Sequence, residues 1–447
     1  MSGTARVRRV AAVAAVLMLI GPASLAGAVP PPVIDPGALP PDGPPGPGLP
    51  LVQSQACAST GVLPGSDPRV VSAAQTFMNP PTLWPGAGRG AGVTVALIDT
   101  GVAPSVRLPH LRGGGDYQVA GGDGLADCDA HGTIVASIIG GAPAASDAFT
   151  GMAPDADLVS IRMYSDAYGL RDTTSDVDRR NLALHTLARG IVHAANAGAD
   201  VINIAGGTCI PAGAPADLAA LGAAVRYAAV DKDAVIVVSA GNVDDRCPQN
   251  PDTESATKAD PRNWAGVVTV NTPAVFADYV LAVTATDDTY RPATYLDGTE
   301  MSLRGPWVGI AAPGNWVQGF DGQGALINGK LNHDTGQLDT ISGTSFAAAY
   351  ISGLAALMRA KFPDLTAAGV IQKIELTAHA QLGVVTNRMG HGVVDPYAAL
   401  AGEPPADANA AVAPPDSGRR EDLIRLAGLA VVAAVIAGAV VLARAKR

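Results

Sequence analysis

The sequence lacks a run of basic residues anywhere between its two termini. It carries 30 Lys and Arg against 40 Asp and Glu, which gives the 447-residue chain a formal net charge of −10. Proteins that bind nucleic acids need clustered positive charge to meet the phosphate backbone. We therefore exclude a nucleic-acid partner. Because 48% of the residues are hydrophobic, we expect one large core with appendages.

Metal-binding loops are also missing from the sequence. Residues 244–245 and 287–288 are Asp-Asp pairs that could supply oxygen ligands to calcium. Neither pair lies in a loop with the alternating oxygen ligands of an EF-hand-type site. The sequence therefore predicts no metal site, and we expect no cofactor.

The N-terminus has the pattern of an exported protein. Arg6, Arg8 and Arg9 precede a short apolar run that ends in small residues, so we interpret residues 1–28 as a signal peptide. An uncleaved anchor is the alternative, although the apolar run is short for a membrane span. Residues 29–80 form a proline-rich extension with too few periodic apolar residues for an independently folded propeptide.

The C-terminus has the pattern of a membrane anchor. Residues 401–422 are rich in Ala, Pro and Asp, which is typical of an unstructured linker. Residues 423–443, uncharged from Leu426 onward, are long enough to span a membrane once. We expect residues 444–447 to be a cytoplasmic tail. The rest of the mature chain would then be anchored to the cell membrane by a single pass, on its extracytoplasmic (periplasmic) side.

Residues 81–400 alternate between apolar strands and helices, which predicts an α/β fold. Uninterrupted apolar strands separated by helices indicate a mainly parallel sheet covered by helices on both faces. The predicted strands and helices that matter most for the argument are, in chain order, strands at residues 93–98, 157–163, 201–204 and 235–242, and helices at residues 182–197, 218–230 and 347–361.

Three polar residues stand where such a sheet would build a site. Asp99 ends a buried strand, His131 begins a short buried helix, and Ser345 directly precedes the apolar helix at residues 347–361. Each alone would more often be a helix cap or a hydrogen-bonded core residue. Together they follow the order Asp, His, Ser, which is one of the known orders of a catalytic triad. We interpret them as nucleophile (Ser345), general base (His131) and its orienting carboxylate (Asp99).

The segments around these three residues resemble the catalytic motifs of the subtilisin-like serine proteases. They are residues 96–101 (Ala-Leu-Ile-Asp-Thr-Gly), 131–133 (His-Gly-Thr) and 342–347 (Ser-Gly-Thr-Ser-Phe-Ala). Asn242, which follows an apolar strand, resembles the asparagine that donates its side-chain amide to the oxyanion in that family. The resemblance covers roughly residues 80–400 and implies a subtilisin-like fold and serine endopeptidase activity.

The four cysteines of an exported chain suggest two disulfides, for which three pairings are possible. Cys209 and Cys247 each follow a predicted strand end on the same rim of the sheet, so these two can meet. That leaves Cys57 of the extension to pair with Cys128, close to His131. We expect this bridge to keep the extension on the domain surface near the rim as a permanent part of the mature protein.

The combination of signal peptide, cysteine-linked extension, peptidase domain and C-terminal span resembles the mycosins. These are membrane-anchored proteases associated with mycobacterial type VII secretion systems. The resemblance implies a protein or peptide substrate and a type VII secretion membrane complex as partner. Two departures are Ala349, where the motif has proline, and residues 205–207 (Ala-Gly-Gly), where subtilisins have Ser-Leu-Gly in the substrate cleft.

Two other functions are compatible with parts of the pattern. A protease-shaped scaffold that stabilises a secretion complex would fit the missing folded propeptide and the tether near His131. A broad secreted scavenging protease would fit the motifs but is disfavoured by the predicted anchor. The intact set Asp99, His131 and Ser345 favours the enzyme.

Overall fold

A parallel sheet of seven strands lies at the centre of the domain in the computed structural model. The strands of the described residues are, in chain order, β1 (Leu51–Gln53), β2 (Thr60–Gly61), β3 (Thr94–Asp99), β4 (Leu111–Asp116), β5 (Asp157–Arg162), β6 (Tyr168–Leu170), β7 (Val201–Ile204), β8 (Thr208–Pro211), β9 (Val235–Ser239), β10 (Thr269–Thr272), β11 (Val280–Thr286), β12 (Val308–Pro313), β13 (Gly319–Phe320), β14 (Leu326–Ile327), β15 (Gly329–Asn332) and β16 (Gln337–Thr340). The central sheet has the order β12-β11-β9-β7-β3-β5-β4, and every neighbouring pair in it is parallel.

Helices cover both faces of this sheet. The α-helices of the described residues are α1 (Ala73–Met78), α2 (Pro80–Ala87), α3 (His131–Gly140), α4 (Asp176–Asn196), α5 (Ala219–Arg226), α6 (Thr344–Lys361), α7 (Ala367–Leu376) and α8 (Pro396–Leu400). Successive side chains of a strand point to opposite faces, so Val95 and Leu97 pack with α3 and α6, whereas Ala96 and Ile98 pack with α4 and α5. This architecture confirms the fold expected from the sequence.

The structure describes residues 31–67, 69–170, 175–251, 260, 262–332, 335–380 and 384–403. The predicted signal peptide, the predicted transmembrane segment, the tail and most of the linker lie outside these ranges. Within the described ranges, none of the helices combines the length and the apolar character that a membrane span requires.

Several element boundaries differ from those expected from the sequence, and three of these differences are described here. Helix α6 begins at Thr344 rather than at residue 347, so Ser345 lies inside its first turn. Helix α4 begins at Asp176 rather than at residue 182, because the Ser175 hydroxyl accepts a hydrogen bond from the Asp178 N–H and caps the helix. Strand β9 ends at Ser239, and the chain turns at Gly241, whose φ of 105° favours glycine, before it reaches Asn242.

The N-terminal extension is fastened to the domain at several points. The Asp42 carboxylate accepts hydrogen bonds from His193 and from Asn196 of α4, each at 3.0 Å. Strand β1 pairs antiparallel with β6, and β2 pairs antiparallel with β15. Between these two pairings a disulfide joins Cys57 to Cys128. Helix α1, at the end of the predicted extension, already belongs to the core, because Met78 is fully buried.

Candidate active site

Asp99 lies at the carboxyl end of β3 and is almost completely buried. Its Oδ1 atom is 2.7 Å from His131 Nδ1 and accepts a hydrogen bond of 2.7 Å from the Thr100 N–H. The Tyr164 hydroxyl approaches the same oxygen at 3.4 Å. The Oδ2 atom is buried without a hydrogen-bond partner among the described residues. The Thr100 N–H and the buried position of Asp99 therefore hold the carboxylate with Oδ1 toward the imidazole of His131.

His131 is the first residue of α3, and its side chain is 23% exposed. A carboxylate can only accept, so Nδ1 carries the hydrogen of the 2.7 Å contact with Asp99 and Nε2 is left as the acceptor. Burial opposes protonation of the ring, but the charge and hydrogen bond of Asp99, with a smaller effect of Asp127, outweigh it. Although the Lys330 charge acts in the opposite direction, the pKa of His131 is raised above its ordinary value.

Ser345 lies in the first turn of α6 and is 5% exposed. Its hydroxyl donates a hydrogen bond of 2.7 Å to the carbonyl oxygen of Ala205, one residue beyond the end of β7. Within the described ranges no hydrogen bond joins Ser345 to His131. The structure thus brings Asp99 and His131 into contact and places Ser345 in the same cleft, with its hydroxyl turned toward Ala205.

Asn242 is oriented by the start of the serine helix. Its Oδ1 atom accepts hydrogen bonds from the Thr344 N–H and from the Thr344 hydroxyl, both at 3.0 Å. A backbone N–H can only donate, so the oxygen of the amide must face Thr344 and the NH2 group must face the other way. Asn242 lines the cleft with Ser345, so this donor is available there. The Ser345 N–H adds a second donor, because backbone N–H groups in the first turn of a helix have no intrahelical acceptor.

The cleft that contains these residues has a volume of about 850 Å³. Its lining includes the glycines at 206 and 207, Asn271 and the disulfide that joins Cys209 to Cys247. It also includes residues of α4 and of the N-terminal extension. An open cleft of this volume that contains a serine, a histidine and an amide suits a peptide.

Sequence reasoning missed two residues that support this centre. Asp127 accepts hydrogen bonds from the Thr133 N–H (2.9 Å), the Thr133 hydroxyl (2.6 Å) and the Thr100 hydroxyl (2.9 Å). Asp127 thereby links the start of α3 to the end of β3. Burial raises the pKa of the Asp127 carboxyl, although these hydrogen bonds act to lower it. Tyr164 is the second: burial and the nearby Asp99 charge raise the pKa of its hydroxyl well above the ordinary value. The only sequence signal for Tyr164 is its place after an apolar strand.

Metal ligands are not grouped in the part of the chain that the structure describes. No cluster of three or more His, Cys, Asp or Glu side chains there has the geometry to hold an ion. The acidic side chains nearest to His131 are instead engaged by backbone and hydroxyl donors, as Asp127 and Asp99 illustrate.

The fold and this site define a subtilisin-like serine endopeptidase, and the chain belongs to the subtilase family, whose model matches residues 90–392. Within that family it belongs to the mycosins. It is 46% identical to Mycosin-3 of Mycobacterium tuberculosis (strain ATCC 25618 / H37Rv) over 87% of this chain and 84% of the relative.

Solved structures agree with this assignment. A crystal structure of MycP1 from the ESX-1 type VII secretion system superposes with a TM-score of 0.80 at 43% identity, covering 84% of this chain and 97% of that one. A chain in the structure of an intact ESX-5 inner membrane complex superposes with a TM-score of 0.78 at 45% identity, covering 94% of this chain and all (100%) of that one. Both are proteins to which this chain is similar.

Proposed function

We propose that this chain cleaves peptide bonds through an acyl-enzyme formed on Ser345. His131 Nε2 removes the hydroxyl proton as Oγ attacks the carbonyl carbon, and later gives that proton to the leaving amine. Asp99 keeps the hydrogen on Nδ1 and stabilises the imidazolium that forms. The observation that carries the proposal is the 2.7 Å contact between Asp99 Oδ1 and His131 Nδ1 in the cleft that also contains Ser345.

The attack requires the Ser345 hydroxyl to turn from Ala205 to His131. The hydrogen bond that must break is a single neutral one of 2.7 Å. Binding of a substrate carbonyl between the serine and the two proposed oxyanion donors would cause the Ser345 hydroxyl to make this rotation. Negative charge on the carbonyl oxygen would then be stabilised by the Asn242 amide and the Ser345 N–H, at the positive end of α6.

The chemistry is tested with two neighbouring serines. Ser345→Ala should abolish both peptide hydrolysis and covalent labelling by a fluorophosphonate, while the melting temperature stays nearly unchanged. Ser342→Ala is the matched control: its hydroxyl accepts a hydrogen bond from the Trp316 N–H at 3.0 Å and is not part of the proposed machinery. Peptide hydrolysis that persists in purified Ser345→Ala protein, or labelling that maps to another residue, would contradict the proposal.

We also propose that the protein works at the extracytoplasmic face of the cell membrane with a type VII secretion complex. Support comes from the predicted signal peptide and anchor, and from the similar chain within the ESX-5 inner membrane complex. Reporter fusions at Arg447 should place the tail in the cytoplasm. A reporter signal from outside the membrane would refute this topology.

The presence of a similar chain inside a solved membrane complex also favours a second candidate function, a structural contribution to that complex. The two roles are separated by comparing culture filtrates from cells that carry no copy, the wild type or Ser345→Ala. If the protein acts as a protease in secretion, specific proteins remain uncleaved with Ser345→Ala. If it acts mainly as a scaffold, Ser345→Ala restores both the secretion and the processing pattern of the wild type.

A further inference from the structure

Gly206 has no room for a side chain in the cleft. A Cβ at this position would lie 2.3 Å from Cε1, 2.4 Å from Cζ and 2.5 Å from the hydroxyl oxygen of Tyr164. Non-bonded carbon atoms pack at about 3.5–4.0 Å, so even an alanine would collide with the ring. The backbone does not require a glycine here, since the φ of Gly206 lies outside the left-handed region. The nearest obstacle to a side chain at residue 206 is therefore Tyr164.

The Tyr164 ring lies between Gly206 and the Asp99–His131 pair. Tyr164 follows the end of β5 by two residues and packs against the core on the α4 and α5 face of the sheet. Its ring centroid is 6.5 Å from that of His131. Its hydroxyl oxygen, which would be 2.5 Å from a Cβ on Gly206, lies 3.4 Å from Asp99 Oδ1. The same atom thus contacts the carboxylate and occupies the space beside residue 206.

The Tyr164 hydroxyl is a permanent donor to this carboxylate. A carboxylate can only accept, so the hydroxyl donates. Burial, followed by the charge of Asp99, raises the pKa of Tyr164 well above its ordinary value, so the hydroxyl keeps its hydrogen. Asp99 Oδ1 then accepts from His131 and Thr100 at 2.7 Å and from Tyr164 at 3.4 Å. A donor to a carboxylate stabilises the negative charge and so weakens its attraction for an imidazolium.

We infer that Tyr164 is a positioning residue, which acts on His131 through its hydrogen bond to Asp99. Residue 206 is glycine in this chain because a side chain there would push the Tyr164 hydroxyl away from the carboxylate. This match between ring and glycine accounts for the second position at which Ala-Gly-Gly (residues 205–207) departs from the Ser-Leu-Gly of the subtilisins. The role rests on the proposed function, because it acts on the histidine that is proposed to transfer the proton.

The titration of the His131 ring tests this role without hydrolysis. The protein is the full chain in detergent with Ser345→Ala, and the probe is the NMR signal of the ring, identified by its loss in His131→Gln. Tyr164→Phe keeps the aromatic ring and removes the hydroxyl. The pKa of His131 should rise by about 0.5, which is the size of one weak hydrogen bond. The other charges that act on His131, those of Asp127 and Lys330, stay in place.

Tyr168→Phe is the matched control. Tyr168 lines the same cleft, and its ring lies against the Arg162 guanidinium at 4.7 Å. Its loss of a hydroxyl should leave the pKa of His131 unchanged. An unchanged or lowered pKa in Tyr164→Phe, or an equal rise in Tyr168→Phe, overturns the inference.

Gly206→Ala displaces the Tyr164 hydroxyl without removing it. It should raise the pKa of His131 as Tyr164→Phe does, and the two changes together should raise it no further, because both break the same contact. Overpacking should also lower the melting temperature by about 2–6 °C. Tyr164→Leu removes all three colliding atoms, so in that background Gly206→Ala should change the melting temperature by less than about 1 °C. Additive rises in pKa, or the same thermal loss beside Leu, would contradict the match.

Peptide hydrolysis by the protein with intact Ser345 separates this role from the proposed chemistry. If the His131 ring titrates as expected but the parent protein hydrolyses no peptide, the positioning role is right and the proposed chemistry is wrong. If peptides are hydrolysed but Tyr164→Phe changes neither the pKa of the ring nor that of kcat/KM, the positioning role is wrong and the proposed chemistry stands.

Discussion

Asn242→Asp is the substitution that isolates the proposed oxyanion donor most cleanly. Aspartate has the shape of asparagine and keeps an oxygen to accept the two 3.0 Å hydrogen bonds from Thr344. The change therefore leaves the start of α6 and the position of Ser345 intact. What it removes is the NH2 group on the other side of the amide, and it puts a carboxylate oxygen in its place.

The expected loss can be worked out from the number of donors. Removing one donor from an oxyanion site lowers kcat by about 100–1000-fold, which corresponds to about 3–4 kcal/mol of transition-state stabilisation. Asn242→Ala should show this loss. Asn242→Asp should lower kcat at least as much, because a negative charge then faces the developing oxyanion. The Michaelis complex has no oxyanion, so KM should change less than threefold in both variants.

The assay is steady-state hydrolysis of one peptide, with active sites counted by fluorophosphonate labelling so that kcat refers to folded enzyme. Thr344→Ser is the control, since serine retains both the N–H and a hydroxyl that hold the Asn242 oxygen. It should keep kcat within about threefold. The reasoning is refuted if Asn242→Asp retains more than a tenth of kcat, or if its loss lies mainly in KM.

Three further predictions concern the supports of the site. Cys57→Ala with Cys128→Ala opens a loop of 71 residues, so the free energy of unfolding in urea should fall by about 4 kcal/mol while kcat stays unchanged; a rise in kcat would reveal an inhibitory tether. Because neutral His131 accepts the proton, kcat/KM should rise with pH through a pKa above 6.5. Protonated His131 also contributes to the stability of the fold. This contribution is fully present below pH 6.5 and is lost as the pH rises through the raised pKa of His131. His131→Ala should therefore flatten the plot of melting temperature against pH over that range. Asp127→Asn should lower the free energy of unfolding by about 1–3 kcal/mol and reduce kcat more than it raises KM; an unchanged kcat contradicts a positioning role.

The sequence predicts where the centre of the candidate site lies because parallel strands end on one edge of a sheet. Asp99 ends an apolar strand and His131 opens a buried helix, and both features are visible in local patterns. The start of α6 was predicted three residues too late, at 347. The reason is physical: the Thr344 N–H is capped by Asn242, which is remote in the chain, so no local cap marks the helix start.

Long-range pairing also explains what the sequence did not reveal about the extension. Strand β1 is only three residues long, too short for a periodic pattern, and it is a strand because β6 lies beside it. Asp127 resembles any other acidic loop residue until the fold brings Thr100 and Thr133 to its two oxygens. Its place in the site therefore depends on tertiary contacts and is absent from the local pattern.

The resting hydrogen bond of Ser345 bears directly on the choice between enzyme and scaffold. Breaking one neutral hydrogen bond costs about 1 kcal/mol net, which is a rate factor of about five. Loss of a working serine or histidine in a triad costs about a millionfold in kcat. The orientation of the hydroxyl toward Ala205 would therefore not by itself make the proposed triad of Asp99, His131 and Ser345 inert. Slow turnover would therefore point to access to the cleft, whose lining includes residues 48, 49 and 51 of the disulfide-held extension.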